Sequence, residues 1–495
     1  MSIAINLEYK PYVALYRRLS DALRKAILEG RLGLGEPMPS VRDLAESLKL
    51  SRATVLKAYE DLQIQGLVVS QSGSGTYVSS HLPGDLGDLL KERLQEESQR
   101  SPASFISASE LSQTGRLLKE VGCKQQEEHV HLPEIGYGGT PVELSPAREW
   151  KSLMLKHCDI HEDDQVPFMI EPAGLPNLRL ALSNYSKRRR SIESSPEEVF
   201  VFGSKQMRME LIGRLLLNPG DVVAYEEPGY PESRHTLEAL AAQVVPVPVD
   251  NEGIAVSYIR RFSRPPKLIY VTPSHQDPLT MVMSMPRRRE LIEYAAAVGA
   301  FILEDDYDSE FRYGKPILPS LKALDHHDCV IYMSSFWKIL YQSLRLSYVI
   351  FPRCLSQPAL LVKGYLERHL PLIDQLALTD LVNDGHLEKH LKRSQRILAH
   401  RRQSLILAIT RHLREMLEPL GEGGGTHIIL NFKSGVSTGA VSKAAGLVGW
   451  NLVSTDSYYA TESVEGQFIV PFADINIDTI DDTVKKFAQL LREIR

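Results

Sequence analysis

The chain has 495 residues, 43% of them hydrophobic, and a formal net charge of -5. That length exceeds one ordinary compact domain, and the apolar content suffices for real cores, so at least two domains are expected. No run of about 18 apolar residues offers a membrane span, and Met1 to Lys10 lacks the pattern of a secretory signal, so a soluble, cytoplasmic protein without membrane contact is expected.

The four cysteines, Cys123, Cys158, Cys329 and Cys354, form no close pairs, which argues against zinc or a disulfide framework. A net negative charge argues against a general nucleic-acid binder, but the distribution is uneven. Pro11 to Ser80 carries 9 Lys or Arg against 7 Asp or Glu, a local net of +2, which leaves -7 for the rest. A DNA-binding head on an acidic body fits that contrast.

From Pro11 to Ile27 apolar residues recur at helical spacing, and a Gly/Pro-rich connection, Gly30 to Pro39, follows. Two short helices come next. Ser40 is placed to cap the first, with Asp43 three residues on and a stripe of Val41, Leu44, Ala45 and Leu48. Ser51 caps the second, Val55, Ala58, Tyr59 and Leu62 form its buried stripe, and Gly66 stands where a left-handed residue is needed. Leu67-Val68-Val69 and Thr76-Tyr77-Val78 flank a Ser/Gly turn and read as a hairpin.

This is the order of a winged helix-turn-helix, whose second helix enters the major groove N-terminal end first. Ser51, Arg52 and Thr54 then reach bases and phosphates, while Arg42 and the wing tip, Gly73, Ser74, Gly75 and Thr76, grip the backbone. Periodicity alone leaves open a helical packing module with solvated arginines. The string PSVRDLAESLKLSRATVLKAYEDLQIQGLVVSQSGSGTYV closes that gap, because it is similar throughout to the winged-helix head of the GntR family of bacterial regulators. Double-stranded operator DNA is the partner that this resemblance implies.

Residues 81–128 read as a linker between a head at 1–80 and a body at 129–495. In the body, β-like runs ending at Glu226, Thr272, Glu304 and Ser334 alternate with helical segments such as Met207 to Leu217 and Pro286 to Ala297. Such alternation implies an α/β fold with a largely parallel sheet. A smaller α+β lobe is expected over about residues 357–495, with strands near Thr426 to Phe432 and Gln467 to Phe472.

Several groups fall at the expected C-terminal ends of these strands, where open α/β sheets bind ligands. They are Lys338, Asp305 with Tyr307, Tyr230, and Gly203-Ser204-Lys205-Gln206 before a helix. A Schiff-base lysine, a carboxylate for a pyridine nitrogen, a stacking ring and a phosphate cradle are what pyridoxal phosphate requires. Singly, each is more simply a solvated lysine, a capping acid or a turn. The segments EPAGLPNLRLALSNYSKRRR, EEPGYPE, YVTPSHQDP, LEDDYDSEFRYG and SSFWKILYQSLRLSYV resemble the fold-type I aminotransferases. With the head, the chain resembles the MocR subfamily of GntR regulators, in which that fold follows the winged helix.

By that resemblance Lys338 carries the cofactor, Asp305 keeps the pyridine nitrogen protonated, Tyr307 donates to the ring hydroxyl, and Tyr230 stacks on the ring. Ser204, Lys205 and Gln206 would hold phosphate with Ser335 and Arg345, and His275 or Gln276 would touch the ring hydroxyl. A homodimer and a small amine or amino-acid effector are likewise implied.

The chain also departs from the pattern. Trp337 and Ile339 flank the lysine, Tyr341-Gln342-Ser343 replaces a small-Pro-Gly turn, and Asp277-Pro278-Leu279-Thr280-Met281 loses an aromatic and a glycine. Ile469 stands where amino-acid aminotransferases carry an Arg for the substrate carboxylate. Regulation by a ligand is therefore expected rather than catalysis. The rivals are a working aminotransferase with an accessory head, and a cofactor-free sensor using the same cleft.

Overall fold

A computed structural model describes residues 13–71, 75–80, 111–112, 114–116, 119, 144–158, 171–314, 318–340, 344–417, 424–433 and 435–494. The chain divides into two compact units, 1–110 and 111–495. Most of the expected linker, and with it Cys123, lies outside the described residues. Thr114, within that expected linker, already donates to the Ala239 carbonyl of the second unit at 3.2 Å.

In the first unit, three helices, α1 (Leu15–Leu28), α2 (Val41–Leu48) and α3 (Arg52–Ile64), precede a hairpin of β1 (Val68–Gln71) and β2 (Gly75–Val78). Leu19, Leu23 and Ile27 from α1 share one core with Leu44 and Ala45 from α2 and Val55, Ala58, Tyr59 and Leu62 from α3. Val41 and Leu48 are only partly buried at its margin. Each cap forms as the residue types dictate: Ser40 Oγ accepts from the Asp43 amide and Ser51 Oγ from the Thr54 amide, both at 3.1 Å. Just past the C-terminus of α3, Gly66 adopts φ of 70°.

The second unit opens with α4 (Ala147–Cys158) and α5 (Pro176–Arg190) and then alternates strand and helix. β3 (Val199–Phe202) leads into α6 (Lys205–Leu216), β4 (Val222–Glu227) into α7 (Pro231–Ala239), and β5 (Gln243–Asp250) turns back as β6 (Gly253–Ile254). β7 (Leu268–Val271), α8 (Met285–Val298), β8 (Phe301–Asp306), β9 (Val330–Ser335) and β10 (Ser347–Ile350) complete a sheet of eight strands in the order β3-β10-β9-β8-β7-β4-β5-β6.

Pairings β4–β5, β4–β7, β7–β8 and β8–β9 are parallel, whereas β10 runs antiparallel to both neighbours and β6 to β5. The sheet is therefore mixed, with the expected parallel arrangement confined to the run from β9 to β5. Every residue of β3, β7 and β10 is buried, because helices cover both faces. The pleat sends Val199 and Val201 into one core and Phe200 and Phe202 into the other.

After the sheet come α9 (Arg353–Leu366), α10 (Leu372–Asn383) and the 27-residue α11 (His386–His412). The smaller lobe then adds β11 (His427–Asn431), α12 (Thr438–Val448), β12 (Val453–Ser454), β13 (Gln467–Pro471) and α13 (Ile480–Ile494). Its three strands form an antiparallel sheet in the order β11-β13-β12, close to the expected spans. Among the described residues no helix is long and apolar enough to cross a membrane.

Candidate cofactor and DNA sites

Parallel pairing brings the C-terminal ends of β4, β7, β8 and β9 to one edge of the sheet. Asp305 is the penultimate residue of β8, in register with Met333 of β9, and Ser335 ends β9 three residues before Lys338. Tyr230 lies three residues beyond β4, and His275 four beyond β7. The sheet thus gathers the sequence candidates at one edge.

Lys338 is 5% exposed, with Nζ 3.9 Å from Asp308 Oδ2 and 4.5 Å from the centre of the Tyr307 ring. Burial holds its ammonium below the ordinary lysine range, and Asp308 and Asp277 oppose that fall. Tyr307 Oη meets His275 Nδ1 at 2.9 Å, and the same nitrogen lies 2.9 Å from Asp308 Oδ2. The His427 ring crosses that of His275 at 5.0 Å, with Nε2 donating to the Pro278 carbonyl. Gly425 seals this cluster: a Cβ there would collide with both His275 and Asp308.

Gln276 takes a different part. Its amide donates to the carbonyls of Pro228 and Asp277 and accepts from the Leu279 amide, so it braces the loop. In that loop Asp277 is buried, and desolvation pushes its carboxyl up to about 6 although Lys338 and Lys205 pull the other way. Burial likewise raises Glu226, to about 7.

Asp305 has the best-defined partners. Oδ2 accepts from Tyr270 Oη at 2.5 Å and from Lys205 Nζ at 2.7 Å. Burial alone would raise its carboxyl, but Lys205 and Arg208 outweigh burial and hold it below the usual range. Lys205 Nζ also lies 4.0 Å above the Tyr230 ring. The lysine side chain therefore points to the ring site and not along the helix start.

The other cradle candidates stand at the edge formed by β3, β10 and β9. Ser347 pairs with Phe202 on one side and Ser335 on the other, and continuing the β10–β3 register sets Arg345 opposite Ser204. Ser204 caps α6 by accepting from the Met207 amide, while Gln206, exposed, donates to Glu232. Arg345 is exposed, and residues 341–343 beside it lie outside the described residues. Arg208, which carried no expectation, is 2% exposed and donates to the Ser334 carbonyl at 2.8 Å.

Ile469 is fully buried in β13, between Ile429 and Val453. In the other unit Arg42, Ser51 and Arg52 are exposed, Thr54 is half-buried with Oγ1 2.7 Å from Ser51 Oγ, and Gly75 and Thr76 begin β2. Gly73 and Ser74 lie outside the described residues.

The two units also match known families. Residues 15–78 match "Bacterial regulatory proteins, gntR family" and residues 142–424 match "Aminotransferase class I and II". A probable rhizopine catabolism regulatory protein, MocR of Rhizobium meliloti, is 30% identical over 475 residues, covering 95% of this chain and 92% of its own. The chain belongs to the MocR-type GntR regulators. The HTH-type transcriptional regulator YdeL of Bacillus subtilis is 31% identical over 423 residues, 85% of this chain and 84% of its own.

Among solved structures, a multiple substrate aminotransferase from Thermococcus profundus superposes with a TM-score of 0.70 at 24% identity, over 78% of this chain and 98% of that one. That likeness shows the fold of the second unit. Most of the edge residues are among the sequence candidates, whereas Tyr270, Asp308, Arg208 and His427 are not. Tyr270 was detectable in principle once β7 is paired with β8, since it lies opposite Leu303, which shares a strand face with Asp305 two residues on.

Proposed function

We propose that this MocR-type regulator binds operator DNA through α3 and its wing, and that its body holds pyridoxal phosphate and responds to a small amine. The observation that carries the reading is Lys338, a buried lysine at the sheet edge, with a charged carboxylate, Asp305, at the end of the neighbouring strand. Lys205 supplies the test of fit. A cationic N–H donor rests on Tyr230 and pairs with Asp305, which is the chemistry that a protonated pyridine ring would need there.

When bound, the cofactor supplies a carbonyl carbon that condenses with a primary amine. The chain's own groups prepare for that. Burial of Lys338 favours its uncharged amine, the form able to attack a carbonyl. Asp305 stays charged and would hold a ring nitrogen, with Tyr270 orienting the carboxylate. Tyr307 would donate to the ring hydroxyl while His275 fixes its own hydroxyl. The amides at the start of α6, with Ser204, Ser335 and Arg345, would take the phosphate, since a helix N-terminus favours an anion.

Control requires an effector that distinguishes two conformations, so that its binding alters how the heads meet DNA. A homodimer, presenting two heads to paired half-sites, suits that role. No guanidinium is available at Ile469 to grip a carboxylate, so the reading is a sensor and not an enzyme. The test is an absorption spectrum of full-length protein with added pyridoxal phosphate, followed by borohydride and peptide mapping. A visible band fixed onto Lys338 is expected; no band at millimolar cofactor, or fixation elsewhere, would refute the reading.

A further inference from the structure

We propose that Lys205 is a built-in competitor of the cofactor ring: paired with Asp305 and resting on Tyr230, it fills the ring site, and pyridoxal phosphate binds only by displacing it. The inference rests on the cofactor reading above and adds to it a residue that sets the affinity.

The geometry is specific at three points. Lys205 Nζ lies 2.7 Å from Asp305 Oδ2, 3.2 Å from Tyr270 Oη and 4.0 Å from the centre of the Tyr230 ring. These are the partners that an aromatic N–H cation would use, one for its charge and one for its face. Lys205 Nζ therefore stands both on the Asp305 oxygen that Tyr270 orients and over the face of Tyr230, the two places that a ring bound here would take. The pair is also asymmetric: the Asp305 side chain is 2% exposed and that of Lys205 is 23% exposed. The carboxylate is fixed by the strand, whereas the lysine, on a flexible stem at the first residue of α6, can swing outward.

Displacement leaves Asp305 with Tyr270 and with the positive charge of Arg208 nearby, so the carboxylate is not stranded. The swung-out lysine regains hydration, which a buried residue in its place would not. Lys205 also repels the charged form of Lys338, so a change in its position alters the reactive amine. The site therefore has two states, one closed by its own lysine and one open to the ring.

The experiment uses full-length protein titrated with pyridoxal phosphate, read by absorption and by borohydride fixation onto Lys338. Lys205→Gln removes the charge and is expected to tighten binding about tenfold, the worth of one charge-assisted hydrogen bond. Lys205→Arg keeps a cation on Asp305 and should show no such tightening. Equal or weaker binding by Lys205→Gln, or equal tightening by both variants, overturns the competitor while leaving the cofactor reading intact. Binding only by Lys205→Gln supports the competitor and removes the cofactor from the natural protein. Binding by neither overturns both.

Discussion

Lys338 and Asp308 face each other across 3.9 Å in a buried setting, where Asp308, Asp277 and Asp305 together oppose the desolvation of the lysine. Asp308 is the largest influence raising the lysine's proton affinity against burial. Asp308→Asn should therefore lower the pH at which Lys338 becomes a free amine, by about one to three units for the loss of a close opposite charge. Capture of pyridoxal phosphate, followed as a function of pH, should show its rising limb displaced to lower pH. An unmoved limb would show that Asp308 does not act on Lys338.

Arg52 stands exposed on the first turn of α3, whose N-terminus is fixed by Ser51 accepting from the Thr54 amide. Replacing Arg52 by Ala should cost about 1 to 3 kcal/mol of operator affinity if it pairs with a base. Lys338→Ala should leave that affinity nearly unchanged, because Arg52 lies in the first unit and Lys338 in the second. Fluorescence anisotropy with labelled operator, repeated across salt concentrations, separates a base contact from a phosphate contact.

Asp277 replaces the aromatic residue expected after His275-Gln276 and is buried with its carboxyl raised to about 6. Because the folded state binds this proton more tightly than the unfolded chain, the group favours folding below its ordinary value of 3.8 and loses that contribution as pH rises through about 6. Relative to Asp277→Asn, the parent protein should thus lose about 1 to 3 kcal/mol of stability between acid and neutral pH. Urea unfolding of both proteins at several pH values measures the difference. A constant offset between them would show that Asp277 does not titrate in this range.

How far the sequence leads is clear from these residues. Caps, stripes and the hairpin of the head follow from local chemistry, so Ser40, Ser51 and the core of α3 were legible in a short window. In the body, strand ends located Asp305, Tyr307, Tyr230 and Lys338, since β-like runs and the groups after them sit in sequence order. The antiparallel insertion of β10 between β3 and β9 was not legible, because strand order depends on crossovers and not on local pattern. Nor was the direction of Lys205. Residues 205, 270 and 305 are far apart in the chain, and only the sheet brings them to one oxygen.

The last prediction is that the protein sustains no transamination of ordinary α-amino acids, even when loaded with pyridoxal phosphate. Turnover needs the substrate's α-proton to meet Lys338 in a geometry fixed by contacts to the carboxylate. Ile469, where an aminotransferase carries Arg, is fully buried between β11 and β12 and packs in the small-lobe sheet. Loss of a two-pronged charged contact weakens productive binding by several kcal/mol, as each such bond is worth about 1.5 to 3 kcal/mol. Restoring the residue is not expected to restore the activity, because a guanidinium at Ile469 would be buried without a partner at a cost of about 3 kcal/mol or more. Ile469→Arg should therefore lower the thermal midpoint and gain no turnover. The assay supplies a panel of amino acids with 2-oxoglutarate or pyruvate and counts keto-acid product per protein chain. Many turnovers by the parent, lost in Lys338→Ala, would make this regulator an enzyme as well.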